Sequence, residues 1–509
     1  MTYQPKLSSA FNDTHLRSRY ISPQSGMCSF CTEECDGTCE IALASVLGKQ
    51  TVYPTNTGNN QIASEKDYPI DFSIFNISGR VFGAIGAKAD YEEANIYKVN
   101  LRRVYGKFNP VKMIIPIILP ALIKLNWEDY FSGAAMAGVT CVIGEESRDK
   151  DPNLKIENEK VVEFNYLGSI LDAFRKYYRG YGQIVLQCNV EDDMLGIPEY
   201  ALREHNLEAL EFKFGQSAKG TQPVRKINNR QEALEKQEAG MLVFPDPMDP
   251  DIIKKDEEGL SPNFYIYTRL PLWDETYLVG RIESLRKMGI KNFYLKMAGY
   301  DRVDLERVIR IGSQAQVDMI TFDGAGGGSG YSPTKMMNEW SLPTVLLEEA
   351  VYQIVEKLKT EERYIPAISI TGGFTTEDQV FKALAFGNQN ITSVGLCRAS
   401  MTAAMTGKNI GERIKGGNIP KNIKVFGNTV DELYYDLADL RYIYGKEVDE
   451  FSLGAVGVFS YLNKIAFGLQ HFAALNRKFD IRYLDRTDLI PLTNDAKELI
   501  RGGWFSSNK

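Results

Sequence analysis

Eight short apolar runs, most of them rich in β-branched residues, alternate with amphipathic segments between residues 113 and 396, and no other feature restricts the fold as much. The runs are MIIPIIL (113–119), VTCVIG (139–144), QIVLQCN (183–189), LEALEFKF (207–214), NFYLKM (292–297), VDMITF (317–322), PAISI (366–370) and ITSVGL (391–396). Between them, segments such as GSILDAFRKYY, DLERVIRIGSQA and TEDQVFKALAFG carry apolar residues at helical spacing. Strands and helices alternating in this way predict an α/β chain with a closed parallel (β/α)8 TIM barrel. A doubly wound open sheet has the same periodicity and is the alternative.

The barrel pattern occupies residues 111–424, after an N-terminal segment, residues 1–110, and before a helical extension, residues 425–509. Within the extension, VDELYYDLADLRYIYG and FSLGAVGVFSYLNKIAFGLQHFAALNRKF read as two packed helices. Residues 215–290 exceed a simple crossover, and VFPDPMDPDIIKKDEEGLSP within them reads as an exposed excursion. A composition of 44% hydrophobic residues supports a full core, while a formal net charge of −7 excludes a general nucleic-acid or anionic-membrane role. MTYQPKLSSAFNDTH has no basic region before an apolar core, and MIIPIILPALI is short and interrupted by two prolines. Neither a secretion signal nor a membrane span is expected, and a cytoplasmic location is.

Chemistry on such a barrel sits where the strands end. Glu145 follows the second run in GEES, and Lys213, Gln216 and Lys219 follow the fourth in EFKFGQSAKG. Two cations with an amide suit a dicarboxylate, although surface lysines on a loop give the same pattern. Lys296 is a cation in an apolar strand, and it either faces an anion or electron-rich ring or snorkels to the rim. DGAGGGSGYSP, from Asp323, puts glycines including Gly326 and Gly327 at the end of the sixth run, where φ must be positive or a ligand must lie on bare N–H groups. Gly372 and Gly373 in TGGFTTEDQ, with Gly395 and Arg398 in the next loop, form a candidate phosphate cradle; ordinary βα turns are the plainer reading.

Cys28, Cys31, Cys35 and Cys39 have the spacing C-x2-C-x3-C-x3-C, which in an acidic, cytoplasmic-type chain points to metal. The compact spacing favours an iron–sulfur cluster, with zinc as the alternative. Cys141, Cys188 and Cys397 are expected to be core thiols, and the three histidines His15, His205 and His471 avoid the strand ends.

Taken in order, IGEE, KFGQSAKG, YLKMAG, DGAGGGSGYSP, SITGGF and VGLCRA, followed by YLDRTDLI at 483–490, resemble the FMN-binding synthase domain of the glutamate synthase family. The likeness runs from about 110 to 405. It implies FMN on the strand ends, with its phosphate near Gly372, Gly373, Gly395 and Arg398, its ring beside Ala121 and Lys296, and the loop of Gly326 and Gly327 over it. It also implies reduction of an imine made from 2-oxoglutarate and ammonia in a site lined by Glu145, Lys213, Gln216, Lys219 and Asp323. Electrons would arrive through a 4Fe–4S cluster from a ferredoxin-like protein or a reductase. Three features depart from that family. No glutaminase domain is expected, so ammonia would come from solution or a supplying subunit; only Cys397 follows the eighth run; and Phe322 precedes Asp-Gly where the family has histidine. The alternatives are an N-methylglutamate synthase type of FMN barrel and a non-catalytic zinc-binding scaffold. A homo-oligomer acting on a 2-oxo acid or amino acid is the expected assembly.

Overall fold

Burial on both faces marks the strands of the central sheet. In the computed structural model, which describes residues 40–53, 68–122, 126–214, 220–328 and 331–505, eight parallel strands close into a barrel. They are β1 (Ile117–Leu122), β2 (Thr140–Ile143), β3 (Ile184–Cys188), β4 (Ala209–Lys213), β5 (Asn292–Ala298), β6 (Met319–Asp323), β7 (Ala367–Thr371) and β8 (Ser393–Gly395). Each pairs with the next, and β8 pairs with β1. The expected closed barrel is therefore present, and the open sheet is excluded.

Side chains on a strand point alternately to opposite faces. Leu210 and Phe212 of β4, and Phe293, Leu295 and Met297 of β5, join the apolar layer shared with the surrounding helices. Their neighbours Ala209 and Tyr294 point inward and meet Ile118, Val142, Val185 and Met319 as a plug in the lower barrel. A hairpin of Arg103–Tyr105 and Val111–Met113 seals that end, with the Tyr105 hydroxyl 3.0 Å from that of Tyr294. With one end closed by apolar side chains, only the C-terminal strand ends can open to a ligand.

The sequence expectation misplaces the first strand. Residues 111–113 belong to the sealing hairpin, and β1 begins at Ile117, after Pro116. Pro120 lies inside β1 without an N–H to donate, and the register with β2 shifts between Leu119 and Leu122. The excursion also differs from expectation. Val224–Ile227, Leu242–Phe244 and Phe264–Tyr267 form an antiparallel sheet with its own small core of Ile227, Ala233, Val243 and Phe264.

Of the two helices expected in the extension, the first is broken into Val430–Leu433 and Leu437–Tyr444. Tyr434 leaves helical geometry at φ −96°, ψ 71°, and its hydroxyl donates to the Gly407 carbonyl. The second is one helix, Leu453–Leu475, packed on Trp127–Ala137 and on Arg398–Lys415. At its crossing with the latter, a Cβ on Gly407 would stand 3.0 Å from the Gly457 Cα. Among the described residues no helix is long and apolar enough to cross a membrane.

Candidate active site

A cavity of about 770 Å³ opens over the C-terminal ends of the strands. Ala121, Glu145, Lys213, Lys296, Asp323 and Arg398 all line it, as do Gly326, Gly327, Gly372, Gly373 and Gly395. Every described residue singled out from sequence for substrate or cofactor thus reaches one cavity. Gln216, Lys219, Cys28, Cys31, Cys35 and Cys39 lie outside the described residues.

The floor carries two charge pairs of different tightness. Lys213, the last inward residue of β4, donates to Glu145 in the loop after β2, and both side chains are largely buried, at 6% and 14% exposure. Lys296, inward on β5, stands 3.9 Å from Asp323 Oδ2, beyond hydrogen-bond reach. Asp323 Oδ1 is buried without a hydrogen-bond partner among the described residues. Burial acts to lower the Lys296 pKa, but Asp323, Glu211, Cys397 and Glu145 outweigh it and leave the ammonium above its ordinary range. The lysine is therefore charged, with its hydrogens free to meet a ligand.

The β6–β8 side is built from two loops packed on each other. A Cβ at Gly326 would come within 3.0 Å of the Gly372 carbonyl, and one at Gly327 would collide with the Asp323 carboxylate at 1.9 Å. No described glycine of this loop has positive φ. Close approach of protein atoms is what excludes side chains there, a reason that the sequence reading did not include. Gly395 is likewise crowded, by Pro120 and Thr371 at 2.7 Å. Gly372 and Gly373 do adopt φ of +125° and +90°, and at Gly373 a Cβ would meet nothing closer than 3.9 Å. Beside this open turn stand Lys382, 3.5 Å from Asp378, and Arg398, which donates to the Gly326 carbonyl at 3.0 Å. Burial holds the Arg398 guanidinium below its ordinary value, with only Cys397 and Asp323 supporting its charge. A partly compensated buried cation next to open backbone suits an anion.

Several cavity residues escaped the sequence reading, among them Lys382, Tyr68, Phe72 and Glu146. Tyr68 and Phe72 belong to a strap that precedes the barrel and crosses its mouth. The Tyr68 hydroxyl donates to the Ala325 carbonyl at 3.2 Å, while Phe72 packs on Phe374 with ring centroids 5.4 Å apart. The strap has neither helical nor strand periodicity, so only its aromatic residues could have signalled it. Glu146 adopts left-handed backbone at φ 57°, with its N–H donating to Asp192 and its carboxyl accepting from Asn189 at 3.1 Å. Burial pushes its carboxyl up to about 8, Arg148 opposing and Asp149, Glu145 and Asp192 adding to the rise. It can therefore give or take a proton near neutrality.

The cavity is chemically divided. One side offers an open glycine turn with Arg398 and Lys382, the floor offers a charged lysine, and the β2–β4 side offers carboxyl groups with Lys213. Such an arrangement can bind an elongated anionic group and handle protons at its far end.

Residues 253–406 match the family model described as the conserved region in glutamate synthase. No curated protein sequence matches the chain. Among solved structures, a double mutant of flavocytochrome b2 with pyruvate bound is similar at 12% identity and TM-score 0.47, covering 89% of this chain and 85% of that one. The flavin-binding domain of baker's yeast flavocytochrome b2 is similar at 13% identity and TM-score 0.46, covering 83% and 78%. A structure titled as monotopic membrane protein (S)-mandelate dehydrogenase is similar at 12% identity and TM-score 0.42, covering 82% and 89%.

Proposed function

Because residues 253–406 carry the region conserved in glutamate synthase, we propose that this chain is an FMN-dependent oxidoreductase of the glutamate synthase type. Its reaction is the reduction of an imine formed from a 2-oxo acid, with 2-oxoglutarate the first candidate, and ammonia. The observation that carries this reading is that Lys296, Asp323, Gly373 and Arg398, all inside the matched region, line one cavity.

The residues present fit FMN. The open turn at Gly372 and Gly373, with Arg398 and Lys382, suits a phosphate. Lys296 and the unpartnered oxygen of Asp323 suit the polar edge of a ring, with Ala121 beside them on β1. When bound, FMN would supply two-electron reduction of the substrate. The protein's own part is to hold and protonate. Lys296 would offset negative charge at the floor, Lys213 would hold the substrate carboxylate, and Glu145 would keep a proton at hand for the imine nitrogen. Gln216 and Lys219, which follow Lys213 in the sequence, would add carboxylate contacts. Glu146 would donate a proton near neutral pH, and the strap would keep bulk water out.

Cys28, Cys31, Cys35 and Cys39 are proposed to hold an iron–sulfur cluster, probed against zinc, that passes electrons from a ferredoxin-like protein or reductase. Ammonia from solution or a supplying subunit and a homo-oligomeric state belong to the same proposal. The N-methylglutamate synthase alternative is motivated by the altered glycine loop, in which Phe322 precedes Asp-Gly; the Phe322 side chain is wholly buried in the layer between strand and helices and does not line the cavity.

The test is anaerobic purification with iron, sulfide and zinc analysis, followed by turnover of 2-oxoglutarate and ammonia with a chemical reductant. Glutamate formed in proportion to reductant consumed is the expected result. Flavin-loaded protein that makes none under any of several 2-oxo acids would sink the reading.

A further inference from the structure

TIM-barrel interiors are ordinarily filled by layers of bulky branched side chains. Here only the lower layer is apolar. Above it, directly under the cavity floor, the inward positions are Gln187 (β3), Glu211 (β4), Lys296 (β5), Thr321 (β6), Ser369 (β7) and Ser393 (β8), none more than 5% exposed. Lys296, Thr321, Ser369 and Ser393 are successive register partners around the barrel, and Gln187 and Glu211 form the neighbouring pair.

This layer is incompletely bonded. Gln187 donates to Glu211, but Gln187 Oε1, Ser369 Oγ and Ser393 Oγ have no partner among the described residues. Each unsatisfied buried group costs about 1–3 kcal/mol, and proteins meet such groups with internal water. The one carboxyl group of this layer accepts from Gln187 and supports the charge of Lys296.

Glu211 is surrounded by groups that respond to the cavity. Lys296 and Tyr294 face it from β5, Lys213 lies on its own strand, and Glu145 approaches from the loop after β2. Burial raises its pKa above the usual carboxylate range, and Lys296, the Gln187 hydrogen bond and Lys213 pull it back. Its state therefore depends on how much of the Lys296 charge is left for it. Negative charge brought to the floor offsets that lysine and removes the main support of the Glu211 carboxylate.

We propose that Glu211 is a proton-exchanging counter-charge for the cavity, taking up one proton when negative charge is lodged beside Lys296 and returning it when that charge leaves. One negative charge arrives, one carboxylate becomes a neutral acid by accepting a proton from solvent, and no electron moves in the step. Internal water on the unpartnered oxygens of Gln187, Ser369 and Ser393 would carry the proton. The inference rests on the flavin reading only for the source of the charge.

The first test needs no cofactor. Infrared titration of the protonated-carboxyl band is compared in wild-type protein, Lys296→Met and Glu211→Gln. Removing the lysine charge imitates its neutralisation, so one carboxyl should titrate at least one pH unit higher in Lys296→Met, a tenfold change in proton affinity, and that band should be missing in Glu211→Gln. Identical titrations in wild type and Lys296→Met would overturn the proposal, and that comparison stands even if Glu211→Gln does not fold.

The second test uses protein loaded with FMN. Its reduction potential should fall with pH more steeply in wild type than in Glu211→Gln by one proton per two electrons, about 30 mV per pH unit. Equal slopes would overturn the proposal. Failure of wild type to bind FMN would instead count against the flavin reading, leaving the infrared comparison to decide on Glu211.

Discussion

Two buried lysines in this molecule are treated in opposite ways. Lys478, 1% exposed, places its Nζ 2.8 Å from Asp485 and 2.6 Å from Asp488. Lys296, 5% exposed, has its nearest carboxylate oxygen at 3.9 Å and makes no side-chain hydrogen bond among the described residues. Around Lys478 most neighbours are also engaged, although Asp488 Oδ1 and the Asn476 amide nitrogen have no partner among the described residues. Arg486 donates to Glu349 and to the Phe386 carbonyl, and its guanidinium lies 3.9 Å from the Tyr352 ring centroid and 4.4 Å from that of Phe386. Leu489–Pro491 then pairs with Phe75–Ile77, which continues the strap over the cavity. The tail motif YLDRTDLI is thus a clasp that fastens strap and barrel together, whereas the floor keeps bonding capacity in reserve. A satisfied buried charge holds structure; an incompletely satisfied one beside a cavity is placed for a ligand.

The comparison can be broken most directly by deleting each cation. Lys478→Ala leaves the fully buried Asp488 carboxylate without its cation and should cost about 3–5 kcal/mol in urea denaturation. Lys296→Met should cost about 1 kcal/mol or less, because its desolvation penalty disappears and Asp323 opens on the cavity, yet it should weaken FMN binding at least tenfold. Equal stability losses would erase the distinction drawn between the two lysines.

Glu146 sharpens the same contrast through pH. Its folded-state pKa of about 8 lies above the ordinary 4.5, so the folded chain holds the extra proton between those values. Stability from this group is complete below about pH 4.5, falls as pH rises toward 8 and is level above that, a loss of a few kcal/mol at most. Glu146→Gln should flatten that part of the stability profile while leaving Lys478-linked behaviour untouched. An unchanged profile would mean that the carboxyl is better solvated than its setting indicates.

The smallest expected effect is at the strap. Tyr68→Phe removes one hydrogen bond to Ala325 and should speed FMN release severalfold in stopped-flow fluorescence while costing no more than about 0.5–1.5 kcal/mol of stability. No change in release would leave the strap a cover without a hold on the glycine loop.

The existence of eight barrel strands was legible because burial on both faces demands short, mostly apolar runs, and the inward cations Lys213 and Lys296 stand out against them. The strand-end residues followed from that register. The offset of β1 was not legible, because periodicity does not show which side of Pro116 joins the barrel. The excursion's strands are three or four residues long and mix charge with apolar residues, as in VRKI, so they carry too little pattern. Glu146 was hidden because left-handed backbone at a glutamate leaves no mark in the sequence. The glycine loop was noticed correctly but for an incomplete reason, since contacts such as Gly326 with Gly372 join residues 46 apart.

The most direct measurement is a titration of the purified apo-protein with FMN, followed by flavin fluorescence and absorbance in wild type and in Arg398→Ala. The account predicts saturable binding of one FMN per chain, weakened at least tenfold when the guanidinium is removed. Absence of saturable binding by well-folded wild-type protein would contradict it.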